Sequence, residues 1–82
     1  MMIQAATGEW INARHVSVYY INANKIFAKI AHGDIYPIIE LETFSVNQDL
    51  LDDVIRIISA LKITHMIVSQ HDLWKEINKI KR

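Results

Sequence analysis

Four histidines, His15, His32, His65 and His71, are the side chains best suited to hold a metal ion. A zinc site needs three or four converging ligands, often at short spacings along one helix. These four lie 17, 33 and 6 residues apart, and there is no cysteine. His32 and Asp34 flank a turn glycine and could touch one ion, but two ligands do not close a site. Surface or strand-end histidines are expected, and no metal. Asp49, Asp52 and Asp53 could be read as paired carboxylates for acid–base work. That chemistry needs one carboxyl in a desolvated cleft, whereas the first turns of a helix keep carboxylates solvated and stabilised by the dipole. Ser17, Ser45, Ser59 and Ser69 lack the nucleophile-elbow context, and the two glycines lie too far apart for a phosphate loop. No nucleophile–base constellation is present, so no enzyme and no cofactor are expected.

A second kind of chemistry is charge. Lys75, Lys79, Lys81 and Arg82 crowd the C-terminal end against Glu76 alone. They could touch nucleic acid or an acidic partner, and they are the residues a nucleic-acid-binding reading would use. Yet nine basic residues balance nine acidic ones. Phosphate-backbone binding usually needs a basic excess that continues over the surface. Cations at a helix end also suit the dipole there, so tight duplex binding is not expected. The stretch from Glu40 to Asp53 is the converse, with five acids and no base.

The elements that must position these residues follow from pattern. An 82-residue chain makes one domain, residues 1–82, and buries only about 60–65% of its unfolded surface. The absence of cysteine and of a signal-like N-terminal segment suggests the cytoplasm. The apolar runs fall short of the ~20 residues that span a membrane, so no membrane association is expected.

Residues 1–43 read as an antiparallel β-meander of three to five strands. Thr7-Gly8 marks a first hairpin, with Trp10 and Ile11 entering the core. Gly33-Asp34 reads as a two-residue turn. It pairs Ile30 with Pro37, Ala28 with Ile39 and Ile26 with Leu41 on one face. It pairs Lys29 with Ile38, Phe27 with Glu40 and Lys25 with Glu42 on the other. A three-residue loop, Asn22-Ala23-Asn24, pairs Tyr20 with Ile26 and Val18 with Ala28, which points Val16, Val18 and Tyr20 into the core.

Residues 46–62 have helical period. Leu50, Leu51, Val54, Ile55, Ile57, Ile58 and Leu61 fall on an arc of about 160°. Ser45 with Gln48 fits a capping box, and Asn47 competes as the cap. Residues 64–82 form a short extension. THMIVS is strand-like, Ser69 with Asp72 marks a helix start, and Leu73, Trp74, Ile77 and Ile80 share a face. The expected fold class is α+β, a meander packed on one amphipathic helix. Its expected core is Val18, Tyr20, Ile26, Ile30, Ile39, Leu41, Val54, Ile58 and Leu61.

That arrangement leaves an apolar set on the nominally solvated face: Tyr19, Ile21, Phe27, Tyr36 and Ile38. A one-sided antiparallel sheet should not need them. With Trp74 they form the candidate partner-binding set, covered by the tail helix in cis, by exchange, or by another chain.

The segment Gly8-Glu9-Trp10-Ile11-Asn12, followed by a strand, a short turn, Gly33-Asp34 and an acid-capped helix, resembles small uncharacterised single-domain proteins of bacterial and prophage genomes. Those begin with a G-x-W/L-I/V-N segment, continue as a meander and end in one helix. The resemblance covers residues 7–62, and the chain departs from it at Thr64. It implies a small accessory or mobile-element protein, such as an inhibitor, and carries over no functional residues. The expected function is a non-enzymatic protein-binding module, a homodimer that also binds another protein. The alternatives are a nucleic-acid-binding regulator and a small-ligand binder at a subunit interface.

Overall fold

The structure, a computed structural model, describes residues 1–40 and 46–80. It is an α+β fold of two three-stranded sheets and two helices. Strands β1 (Met2–Gln4) and β2 (Trp10–Asn12) form the first hairpin. A single 3₁₀ turn, Ala13–His15, leads into β3 (Val16–Asn22), β4 (Lys25–Ile30) and β5 (Ile35–Glu40). Helix α1 (Gln48–Thr64), strand β6 (Ile67–Val68) and helix α2 (Gln70–Ile80) complete the described chain. One sheet runs β2-β1-β6, with β6 parallel to β1, and the other is the meander β3-β4-β5.

Loop length sets the register of the meander, and both of its hairpin turns differ from the sequence-based expectation. The β3–β4 loop has two residues, because Ala23 and Asn24 both take positive φ, 49° and 61°. That is the primed turn whose twist matches the flanking strands. Ile21 therefore faces Ile26, Tyr20 faces Phe27 and Tyr19 faces Ala28. A shift of one residue turns every side chain of a strand over. Tyr19 and Ile21 accordingly pack against the core, and Val18, expected inside, is 46% exposed. Ser17 is the extra residue of a bulge between Val16 and Val18, and its hydroxyl donates to the Lys29 carbonyl at 3.0 Å. The bulge returns Val16 to the core side.

The β4–β5 turn is a three-residue loop, Ala31 to Gly33, closed by Ile30 N–H on the Asp34 carbonyl (2.8 Å) and Gly33 N–H on the Ile30 carbonyl (2.9 Å). Ile26 now faces Ile39, Ala28 faces Tyr36, and Lys29 faces Ile35. Lys25 meets Glu40, at 3.7 Å, in place of Glu42. Ile38 sits in a bulge between Pro37 and Ile39 and is fully buried. Leu41, Glu42 and Ser45 lie outside the described residues.

Local signals at the helices hold. Asn47 caps α1, its Oδ1 accepting from Leu50 N–H at 2.9 Å. Leu50, Leu51, Val54, Ile57 and Ile58 are buried at helical spacing, Leu61 is half-buried, and Ile55 falls at the exposed margin of the stripe. In α2, Ser69 and Asp72 form a reciprocal cap. Asp72 N–H donates to Ser69 Oγ (3.1 Å) and Ser69 N–H to Asp72 Oδ2 (3.2 Å). One cluster joins both sheets and both helices: Ile3, Ile11 and Val68 from the short sheet, Ile26, Ile38 and Ile39 from the meander, Val54 and Ile58 from α1, and Leu73 and Ile77 from α2. Each such side chain contributes about 1.5–3 kcal/mol by leaving water. Trp10, expected in that core, is an exposed residue of β2, because Ile11 takes the inward position.

Ala23 supplies a direct check on the turn. A Cβ in the left-handed region costs about 1–2 kcal/mol, part of which glycine recovers against its larger unfolded-state entropy. Ala23→Gly should therefore raise stability by up to about 1 kcal/mol. Urea unfolding measures this, and a destabilised variant would contradict a two-residue loop.

Candidate interaction surfaces

The candidate partner-binding residues separate once they are placed. Ile38 is 0% exposed, and Tyr19, Ile21, Tyr36 and Trp74 pack against the core cluster. Burial pushes the Tyr19 hydroxyl pKa up to about 12, because the phenolate would lose its hydration there. Phe27 alone of the six lies on the outer side of the meander, stacked on Tyr20 with ring centroids 5.6 Å apart. The surface that the sequence read as an open apolar face is thus largely core, for the register reasons given above.

A different outer face replaces it. Its rows follow the pairing: Val18, Lys29 and Ile35 in one, and Tyr20, Phe27 and Pro37 in the next. Val18 and Ile35 are exposed, and the three side chains of the second row are half-buried. A two-residue Ala-Asn turn, read from the Asn that tolerates positive φ, was the signal for this face.

A second apolar surface lies where α1 ends. Ile63 is 86% exposed, Met66 85% and Ile67 59%. Met2 lies beside Ile67 in the parallel β1–β6 pair and donates its N–H to the Met66 carbonyl at 2.8 Å. Ile3, Ile11 and Val68 take the inner side of this sheet, which puts Met2 and Ile67 on the outer side. Ile63 falls out of phase with the buried stripe of α1, a sign that was available in the sequence.

The third surface is an open cleft of about 490 Å³ along α2, lined by His71, Trp74, Lys75, Asn78 and Lys79. His71, Lys75 and Lys79 are spaced four apart and make one row on the helix. Lys79 is paired with Glu76 at 2.9 Å. Lys81 and Arg82 lie outside the described residues.

His32, Asp34, Asp52 and Asp53 have ordinary partners. His32 and Asp34 approach to 3.4 Å at an exposed turn. Asp52 accepts from Gln48 Nε2 (2.9 Å), and Asp53 pairs with Arg56 (3.3 Å). Among the described residues, no three of His, Asp and Glu converge on one point, and no helix is long and apolar enough to cross a membrane.

No known protein family, curated protein or solved structure matches the chain.

Asp72 carries a pH dependence. The Ser69 backbone N–H, then its hydroxyl, hold the Asp72 carboxyl below the usual range, with smaller help from His71 and His65. A folded-state pKa below the unfolded one means that the cap's contribution is present above the ordinary carboxyl range. It is lost as pH falls through the lowered value. Asp72→Asn should flatten the acid limb of a stability–pH curve measured between neutrality and about pH 3. An acid limb identical to that of the unaltered chain would place the acid sensitivity elsewhere.

Proposed function

We propose that this chain is a small non-catalytic protein-binding module, an accessory or regulatory protein that self-associates and docks on another protein. The observation that carries the reading is the apolar ridge of Ile63, Met66, Ile67 and Met2 beside β6. Single exposed apolar side chains are normal on protein surfaces, but a group of this exposure within five residues is what interaction sites present. Methionine suits such a site because its unbranched, polarisable side chain adapts to a partner. Self-association fits an 82-residue chain without disulfides, whose own core is small. A cytoplasmic setting fits the same absence of cysteine.

The test is an Ile63→Asp, Met66→Asp double variant. Its melting temperature should stay close to that of the unaltered chain, since both side chains are already in water. A protein recovered from the native host with the unaltered chain should be lost with the variant. Equal recovery by both would remove the ridge as the binding surface.

A second reading takes the α2 cleft as a nucleic-acid contact, with Trp74 stacking on a base and Lys75 and Lys79 on phosphates. The balanced net charge weighs against it. Anisotropy of a labelled single-stranded oligonucleotide at two salt concentrations, for the unaltered chain and Lys75→Glu, decides it. Salt-sensitive binding that is lost in the variant favours this reading.

A further inference from the structure

Building on the self-association reading above, we propose that two copies of this chain pair antiparallel through β3, making one six-stranded sheet across a twofold axis. The two edges of the meander are treated differently. On β5, Pro37 has no N–H to offer, its carbonyl takes the Ala6 N–H (2.8 Å), and the Ile38 carbonyl takes Gln70 Nε2 (2.9 Å). Among the described residues, β3 has β4 as its one neighbour in the sheet. The residues flanking a two-residue hairpin loop exchange both hydrogen bonds, and such pairs alternate along the ladder. Asn22–Lys25, Tyr20–Phe27 and Val18–Lys29 are therefore the bonded pairs. The N–H and C=O groups of Tyr19 and Ile21 point away from β4, and no backbone group of another described element reaches them.

The strand also lacks the usual protection. Natural edges carry charge, proline or β-bulges that discourage pairing. Val16–Asn22 reads VSVYYIN, with none of these except the bulge at Ser17, at one end. Burial falls off toward this edge too. Ile26 and Ala28 on β4 are fully buried, whereas Tyr19 and Ile21, on the same side of β3, are only half-buried.

A second copy fits the edge without rearrangement. A twofold axis through Tyr20 sets Tyr19 opposite Ile21 of the other copy, and Ile21 opposite its Tyr19. Both are bonded positions, so four main-chain hydrogen bonds form and no like charges meet. Tyr20 then faces its own copy at a non-bonded position, and the Tyr20–Phe27 stack continues across the axis. α1 packs on β3, so pairing also draws the two α1 helices toward each other and adds contact beyond the strands. One patch meeting itself is the commonest form of homodimer.

The chain has no cysteine, so a single Tyr20→Cys substitution reads the register directly. Facing residues at a non-bonded antiparallel position have Cα atoms about 4.5 Å apart, within the range a disulfide spans. Val18→Cys, four residues out of register with its own copy, would place the sulfurs' Cα atoms roughly 14 Å apart. Under mild oxidation Tyr20→Cys should give at least about tenfold more covalent dimer than Val18→Cys, which the disulfide's narrow reach requires. In light scattering at tens of micromolar, the unaltered chain and Ile35→Lys should be dimeric and Tyr20→Lys monomeric. A dimer that Ile35→Lys dissociates, with no preferential cross-link at Tyr20→Cys, would overturn edge pairing and leave self-association through the sheet face. An unaltered chain that stays monomeric would overturn both. Should Tyr20→Lys fail to melt cooperatively, the two cysteine variants decide alone.

Discussion

Ile38→Ala should lower the melting temperature by roughly 10 °C or more, the size of effect expected for a buried aliphatic in a domain this small. Ile38 is fully enclosed at the bulge of β5, so truncation removes apolar contact and leaves a cavity, at about 2–5 kcal/mol. Val18→Ala should change stability by no more than about 0.5 kcal/mol, since Val18 stands in water on the outer side of β3. The contrast tests the register of the whole meander. The alternative hairpin turns would reverse it, with Val18 costly and Ile38 cheap. Thermal melts followed by circular dichroism measure both variants, and equal melting temperatures would refute the bulge.

Gln70→Met should loosen α2 from the rest of the molecule. The Gln70 side chain joins three elements. Its Nε2 donates to the Gln4 carbonyl of β1 (2.7 Å) and to the Ile38 carbonyl of β5 (2.9 Å), while Gln4 Oε1 accepts the Gln70 backbone N–H (3.0 Å). This is the seam between the two sheets, made beside Ala6 N–H on the Pro37 carbonyl. Methionine keeps the length of the side chain and removes both donors. Each part-buried carbonyl left without its donor costs about 1–3 kcal/mol. The expected result is faster amide exchange across α2 and β5, with a lower melting temperature. Lys79→Ala, which breaks an exposed pair on the same helix, should leave exchange in β5 unchanged, since surface pairs are worth about 0–1 kcal/mol. Unaltered exchange in Gln70→Met would show that apolar packing of Leu73 and Ile77 holds α2 by itself.

The same structure changes what a monomerising substitution means. Phe27 lies on the outer side of the central strand, stacked on Tyr20, and no core position depends on it. Phe27→Ser therefore probes the sheet face, and Tyr20→Lys probes the edge. Ile21 and Ile38, by contrast, sit against or within the core, so substitutions there report stability before they report assembly.

Much of this architecture follows from local pattern. The stripe from Leu50 to Ile58 makes α1, and Asn47 caps it through an acceptor three residues from the N–H it binds. Ser69 and Asp72 start α2 by a contact of the same short range. β3, β4 and β5 lie where the sequence alternates, and Ile26, Ile30, Ile39, Val54 and Ile58 are core residues on that pattern alone. Such features are legible because the groups that stabilise them lie within one turn of helix or one strand.

Only the tertiary structure decided which side of each strand faces in. A two-residue loop in place of three exchanges Val18 and Tyr20 for Tyr19 and Ile21, and alternation reads equally well either way because VSVYYIN is apolar on both faces. The bulge that buries Ile38 costs one unpaired residue and is stabilised by β4, by the Ala6 N–H on the Pro37 carbonyl and by Gln70, 32 residues further along the chain from Ile38. Nor does any local signal mark Gln70 as a joint, since its other partner is 66 residues away. The exposed surfaces share this origin. Ile67 remains in water because β6 pairs with β1 and turns Val68 inward. The sequence by itself thus determined the elements, the buried stripe of α1 and the inward positions Ile26, Ile30 and Ile39, through contacts between near neighbours. The faces open to a partner were decided by register and closure, which depend on hydrogen bonds between residues far apart in the chain.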